Sequence, residues 1–144
     1  MKIFVASDHA GYEVKNKIVS FLQTLGMTVE DLGPSQFVAG DDYPDFAKLV
    51  TDKVAKGEGE GVLVCDTGIG MSIAANRVKN VRAALVTTPF MAKRAREHNN
   101  ANILVLGSEI NTWGEIENIL SEFVTSRFSK DERHIRRLQK IEEI

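Results

Sequence analysis

Residues 61–72 read Gly61-Val62-Leu63-Val64-Cys65-Asp66-Thr67-Gly68-Ile69-Gly70-Met71-Ser72. Residues 61–65 have the pattern of a strand buried on both faces. The run breaks at Asp66. It then passes through Gly68 and Gly70 into a stretch carrying Ala74 and Ala75, which reads as helix. Strand, glycine-bearing turn and helix in that order open a βα unit.

The same alternation extends in both directions. Ile3-Phe4-Val5-Ala6 is a short apolar run that stops at Ser7-Asp8-His9. Val14, Ile18, Leu22 and Leu25 recur at helical spacing, and Gly26 stands where a C-cap glycine ends a helix. Met27 to Leu32 reads as a second strand, closed by Gly33-Pro34, and Ser35 to Asp42 as a loop. Tyr43-Pro44 opens a second helix with Phe46, Leu49, Val50 and Val54 on one side. Val81 to Val86 reads as a fourth strand, and Pro89 fits the first turn of a helix reaching His98. Ile103-Leu104-Val105-Leu106 is a fifth strand, ended by Gly107. Ile116, Ile119, Leu120, Phe123 and Val124 mark a long amphipathic helix. The tail, Ser129 to Ile144, is rich in Arg, Lys and Glu, with Ile135, Leu138 and Ile141 three apart. Five strands separated by helices predict one doubly wound α/β domain over residues 1–144, with a mostly parallel sheet and helices on both faces. Ligands in such folds sit beyond the carboxyl ends of the strands. Asp8-His9, Cys65-Asp66-Thr67 and Gly107-Ser108 all fall there.

Composition narrows the function. The chain has 144 residues, a net charge of −2 and 43% hydrophobic residues. That is one globular domain, with no field to gather nucleic acid or anionic lipid. Cys65 is the sole cysteine, so an internal disulfide and a multi-thiolate zinc site are excluded. His9, His98 and His134 lie far apart, without metal-ligand spacing. No apolar run approaches the ~20 residues that span a bilayer. No signal peptide is visible, and the expectation is a soluble, reduced, cytoplasmic protein.

The turn after Cys65 is the strongest local feature. Gly68 and Gly70 let backbone N–H groups converge at a helix start, which makes a nest for phosphate or for charge developing in a reaction. The plainer alternative is a tight turn with glycines for steric reasons. Familiar uses of such loops fail on residue types. There is no Gly-Lys-Ser/Thr, Ile73 stands where a dinucleotide fingerprint wants glycine, and Met71 stands where a cysteine phosphatase needs Arg. A cysteine ending a buried strand is more often an inert packed residue. Beside a nest, its thiolate can act as nucleophile or general base. His98, at a helix end, is a candidate proton carrier. Arg133 and Arg137 share a helical face and are candidates for phosphate, or else part of a solvated basic face.

Taken together, these motifs resemble one family. Asp8-His9-Ala10-Gly11, Asp42-Tyr43-Pro44, Cys65 through Asn76, His98-Asn99-Asn100-Ala101-Asn102 and Arg133-His134-Ile135-Arg136-Arg137 occur in order along essentially the whole chain. This set resembles the type B ribose-5-phosphate isomerases, a family that includes the galactose-6-phosphate isomerase subunits. The resemblance implies a Rossmann-like fold and aldose–ketose isomerisation of a phosphorylated sugar without metal or cofactor. It implies a homodimer or homotetramer with active sites shared between subunits, the tail 129–144 packing on a partner. Cys65 would move the proton between C1 and C2. Thr67 and His98 would assist ring opening, with Asp8 at the ring-oxygen and C1 end. Amides of the loop from Asp66 through Gly68 and Gly70 to Ser72 would stabilise the enediolate. Asn99 would bind a substrate oxygen and Tyr43 would wall the pocket. His9, Arg133 and Arg137 would grip the phosphate.

Two positions depart from the family's pattern. Asp66 replaces the glycine of a common Cys-Gly-Thr-Gly loop, a position at which Asp tolerates left-handed backbone. Glu109 stands where the pentose enzymes often carry Arg and the galactose subunits can carry Glu. The expected substrate pair is ribose 5-phosphate and ribulose 5-phosphate, with a hexose or tetrose phosphate second. A non-catalytic phosphosugar-binding module and a subunit needing a homologous partner are the competing readings.

Overall fold

A computed structural model describes residues 1–144. The order is β1 (Lys2–Ser7), α1 (Tyr12–Thr24), β2 (Thr28–Asp31), α2 (Tyr43–Val54), β3 (Glu60–Cys65), α3 (Ile69–Ala75), β4 (Ala83–Leu85), α4 (Pro89–Asn99), β5 (Ile103–Gly107), α5 (Trp113–Thr125) and α6 (Glu132–Glu142). The strands form one sheet in the order β2-β1-β3-β5-β4, and every pairing is parallel. The expected Rossmann-like α/β architecture is what the chain adopts. No helix is long and apolar enough to cross a membrane.

Strand alternation builds two cores. Ile3, Val5, Val62, Val64, Leu104 and Leu106 face one side, where Ile18 and Leu22 of α1, Ala92 of α4 and Phe123 of α5 cover them. Phe4, Ala6, Leu63, Cys65, Ile103 and Val105 face the other, under Val50 of α2 and Met71 of α3. Helices therefore lie on both faces, and Cys65 belongs to the layer beneath α2 and α3.

Several boundaries move. β4 was expected over Val81–Val86 and spans Ala83–Leu85. It is an edge strand, and Asn102 Oδ1 takes the Arg82 N–H at 2.8 Å, so the ladder starts one residue later. Gly26 ends α1 with φ +79°, as expected, while Leu25 lies past the helix and is exposed. Leu49 is exposed too. The buried face of α2 runs through Ala47, Val50, Thr51 and Val54, so the small residues Ala47 and Thr51 do the packing that apolar periodicity assigned to Leu49.

The loop from β2 to α2 is tied to α1 through a buried charge. Lys15 is 1% exposed, and its Nζ bonds Asp31 Oδ2 at 2.6 Å and the Pro34 carbonyl at 2.9 Å. A buried ammonium requires such partners. The pair anchors the segment that leads on to Asp41 and Tyr43.

Candidate active site

The sheet's strand order reverses direction between β1 and β3, and that switch point is where open α/β sheets bind ligands. Asp8 leaves β1 there and Cys65 ends β3 there. The loops are laced together. Ser108 donates its amide to the Cys65 carbonyl at 2.8 Å and its hydroxyl to the Ala10 carbonyl at 3.0 Å. The Glu109 amide reaches the Asp66 carbonyl at 3.1 Å. Ser108 thus joins all three strand ends, a role that a lone serine after a strand does not advertise in sequence.

Cys65 is buried, and its Sγ accepts the Gly68 N–H at 3.1 Å. Gly68 makes that bond with φ +82°, and a Cβ there would lie 2.5 Å from Leu85 Cδ1 and 3.1 Å from the Leu106 backbone. Gly68→Ala is expected to cost about 1–3 kcal/mol through left-handed strain and this crowding. Thermal unfolding at fixed protein concentration measures it, and an unchanged Tm would contradict the crowding.

Asp66 is exposed and keeps a negative φ, so the left-handed geometry expected of it belongs to Gly68 instead. The turn therefore accepts Asp66 without backbone strain, and its carboxylate lies in solvent. Thr67 Oγ1 receives the Ile69 N–H at 3.3 Å. The Ser72 amide goes to the Gly68 carbonyl at 3.0 Å and is not available to a ligand, which corrects the expectation that it serves the nest. The amides of Gly70 and Met71 precede that first helical bond and are the uncommitted first-turn donors. Tyr43 packs over Gly70, where a Cβ would meet its ring at 2.5 Å. Tyr43 therefore lies against the first turn of α3.

Asp8 is 6% exposed and accepts the Gly11 amide at 3.1 Å. Burial pushes its carboxyl up from the ordinary range, against the pull of that amide and of His9. His9 Nδ1 lies 2.7 Å from Asp41 Oδ1, and this hydrogen bond raises the imidazole above its usual value. Ligand atoms of Asp8, His9 and Asp41 lie within 4.8 Å of one another. His9 Nδ1 and Asp41 Oδ1 are paired, so the trio is a carboxylate-oriented histidine beside a buried acid. Asp41 went unread in sequence, because an aspartate inside a polar loop looks like any solvated residue.

The remaining expected site residues are elsewhere. Arg96, two residues before His98, pairs with Glu60 at 2.5 Å, and burial raises the Glu60 carboxyl even against that pairing. Glu60 begins β3 and Cys65 ends it, roughly 16 Å apart at the usual strand rise. His98 and Asn99 therefore sit at the opposite end of the sheet from Cys65. The His134 ring stacks on His98 at 4.3 Å and bonds Ser129 Oγ at 2.8 Å through Nδ1. Burial lowers the His134 imidazole, and His98 and Arg133 act in the same direction. Arg133 and Arg137 project from α6 into solvent beside this pair. Asp8, His9, Tyr43, Cys65, Thr67, Gly68 and Gly70 form one group, and His98, Asn99, Arg133 and Arg137 another. One chain does not unite them. A cavity of about 820 Å³ at the second end includes Asn99 and Glu142 but neither Cys65 nor Asp8.

Known proteins share this chain's sequence and fold. The family described as Ribose/Galactose Isomerase matches residues 3–141. A Mycoplasma genitalium protein named probable ribose-5-phosphate isomerase B is 48% identical over 141 residues, 96% of this chain and 92% of that one. A galactose-6-phosphate isomerase subunit from Clostridium acetobutylicum is 39% identical over 100% of this chain and 83% of its own. The crystal structure of the M. genitalium ribose-5-phosphate isomerase B with bound ribulose 5-phosphate superposes with a TM-score of 0.94 at 47% identity, covering 99% of this chain and 94% of that one. A ribose 5-phosphate isomerase from Thermotoga maritima gives 0.95 at 45% identity, with 99% and 98% covered. With its strand-end cysteine, its glycine turn and a match over nearly its whole length, this chain belongs to the ribose/galactose isomerase family, the aldose–ketose sugar-phosphate isomerases that include the type B ribose-5-phosphate isomerases.

Proposed function

We propose that the chain interconverts ribose 5-phosphate and ribulose 5-phosphate, as a cytoplasmic homo-oligomer whose active sites each draw on two subunits. The observation that carries the chemistry is Cys65 Sγ beside the first turn of α3, 3.1 Å from the Gly68 amide. Removing the C2 proton of an open-chain aldose phosphate leaves an enediolate, and returning that proton to C1 yields the ketose. A base and a set of N–H donors must be adjacent for this, since the oxyanion forms on the carbon next to the one that loses its proton. Cys65 is the base, and the amides of Gly70 and Met71 are the donors. The Gly68 amide faces the sulfur, where negative charge resides when the thiol has given up its proton. Asp8, with its carboxyl raised by burial, gives a proton to the C1 oxygen and takes one back from the C2 hydroxyl, so the group ends the cycle as it began.

Shared sites are supported by the split between the two residue groups. His98, Asn99, Arg133 and Arg137 reach the Cys65 end of the sheet if a second copy brings its α4–α6 end against the first. Ile135 and Ile141 of α6 are exposed apolar residues suited to cover by that copy. In the composite site Thr67 and His98 open the sugar ring, Asn99 binds a substrate oxygen, and His9, Arg133 and Arg137 hold the phosphate. Fixing the phosphate orients the carbon chain over the sulfur.

The choice of pentose is supported by the ribulose 5-phosphate in the M. genitalium homologue. Purified protein assayed on ribose 5-phosphate, allose 6-phosphate, galactose 6-phosphate and erythrose 4-phosphate is expected to turn over ribose 5-phosphate with the highest kcat/KM. A higher value for any other sugar would overturn the pentose assignment. No turnover on any would overturn the isomerase reading for the isolated chain.

A further inference from the structure

Asp41 has no part in the chemistry above, yet it is built into the site. Gly40, with φ +76°, turns the chain immediately before it. One of its oxygens, Oδ1, accepts both the His9 backbone N–H at 2.8 Å and the ring Nδ1–H at 2.7 Å. Holding main chain and ring on the same atom leaves the imidazole a single orientation. Because Nδ1 is committed, Nε2 is the nitrogen left to meet a ligand. Phe37 supports the ring edge-on, with centroids 6.1 Å apart and planes at 82°. The Asp41 side chain is only 11% exposed, and its other oxygen, Oδ2, is buried without a hydrogen-bond partner. A carboxylate in that condition favours a cation next to it. The charged groups facing His9 are Asp41, from the loop before α2, and Asp8, its neighbour at the end of β1, and both hold it toward the charged form.

We propose that Asp41 is a positioning residue for the isomerase, fixing the His9 ring so that Nε2–H is directed at the phosphate of the substrate. The inference rests on the phosphosugar reading and adds to it the device that prepares the anion grip. A histidine oriented in this way presents a charge-assisted donor to a phosphate oxygen without having to reorganise when the sugar arrives.

The test is Asp41→Asn, which keeps the shape and an acceptor oxygen but removes the charge. It is expected to raise KM for ribose 5-phosphate about tenfold while kcat falls by less than about threefold, the pattern of a lost charge-assisted phosphate contact. The pH at which KM begins to climb moves downward, because His9 loses its proton earlier. In a His9→Ala background the same change adds nothing to KM. Nitrogen-15 spectra of the wild-type imidazole supply a second reading that does not depend on the variant, with the proton on Nδ1 retained and His9 titrating above an ordinary histidine. A KM unchanged by Asp41→Asn, a penalty that persists without His9, or a wild-type ring protonated only on Nε2 overturns the inference and leaves the isomerase reading standing. A wild-type protein inert to every sugar phosphate overturns both.

Discussion

Cys65→Ala is expected to lower kcat on ribose 5-phosphate by about a hundred- to ten-thousandfold, the contribution of a positioned general base. The protein stays folded, because the substitution removes one sulfur from a layer otherwise held by Leu63, Val105 and Met71. A stability loss of about 1 kcal/mol is ordinary for a buried truncation of this size. Cys65→Ser preserves volume more closely but supplies a hydroxyl that is a far weaker base at neutral pH, so it falls with the alanine variant. KM moves little in either, since the phosphate grip is elsewhere. The two outcomes separate cleanly in steady-state kinetics with unfolding curves measured alongside. Turnover near that of the wild type in folded Cys65→Ala protein would remove the sulfur from the mechanism.

The second large effect comes from the split site. Arg137→Ala should lose roughly ten- to a hundredfold in kcat/KM, since a hydrogen bond to a charged group contributes about 1.5–3 kcal/mol. Mixed with Cys65→Ala and allowed to exchange subunits, the two poor enzymes are expected to recover. A heterodimer has one site combining the intact Cys65 of one chain with the intact Arg137 of the other, and a second site damaged twice. Random pairing then restores roughly a quarter of wild-type activity, by the two-fold symmetry of such a dimer. If Arg137 served its own chain, each site of the heterodimer would carry one lesion and nothing would return. Mass spectrometry that detects heterodimers without recovered activity would contradict the shared site.

The parts of the fold that were legible are those where physics leaves one solution. Ile3–Ala6, residues 61–65 and Ile103–Leu106 are buried on both faces, so they read as unbroken apolar runs. β4 is three residues long at an edge, paired only on one side, and its bounds depend on the Asn102 side chain twenty residues away. No local pattern carries that. Nor does any local pattern tell that β5 lies between β3 and β4.

The site divides in the same way. Cys65, Gly68 and Gly70 were visible because a strand end and its turn are contiguous in sequence. Asp41 was not, and Ser108 was visible only as a residue at a strand end, since each acts through a partner distant in the chain, His9 for one and Ala10 for the other. The separation of His98 from Cys65 follows from the direction of α4, which returns from the carboxyl end of the sheet to its amino end. Once the sheet is known to be parallel, that separation is forced. The family resemblance had joined His98 to Cys65 in one site and implied that the site is shared between subunits.

Isomerisation in deuterium oxide tests the proton path through Cys65 most directly. Ribose 5-phosphate and ribulose 5-phosphate recovered after many turnovers are expected to carry deuterium at C2 of the aldose and C1 of the ketose, because the proton taken by the sulfur exchanges with solvent before it returns. Sugars that equilibrate fully yet remain free of deuterium would mean that hydrogen passes directly from carbon to carbon, and Cys65 would then not be the base.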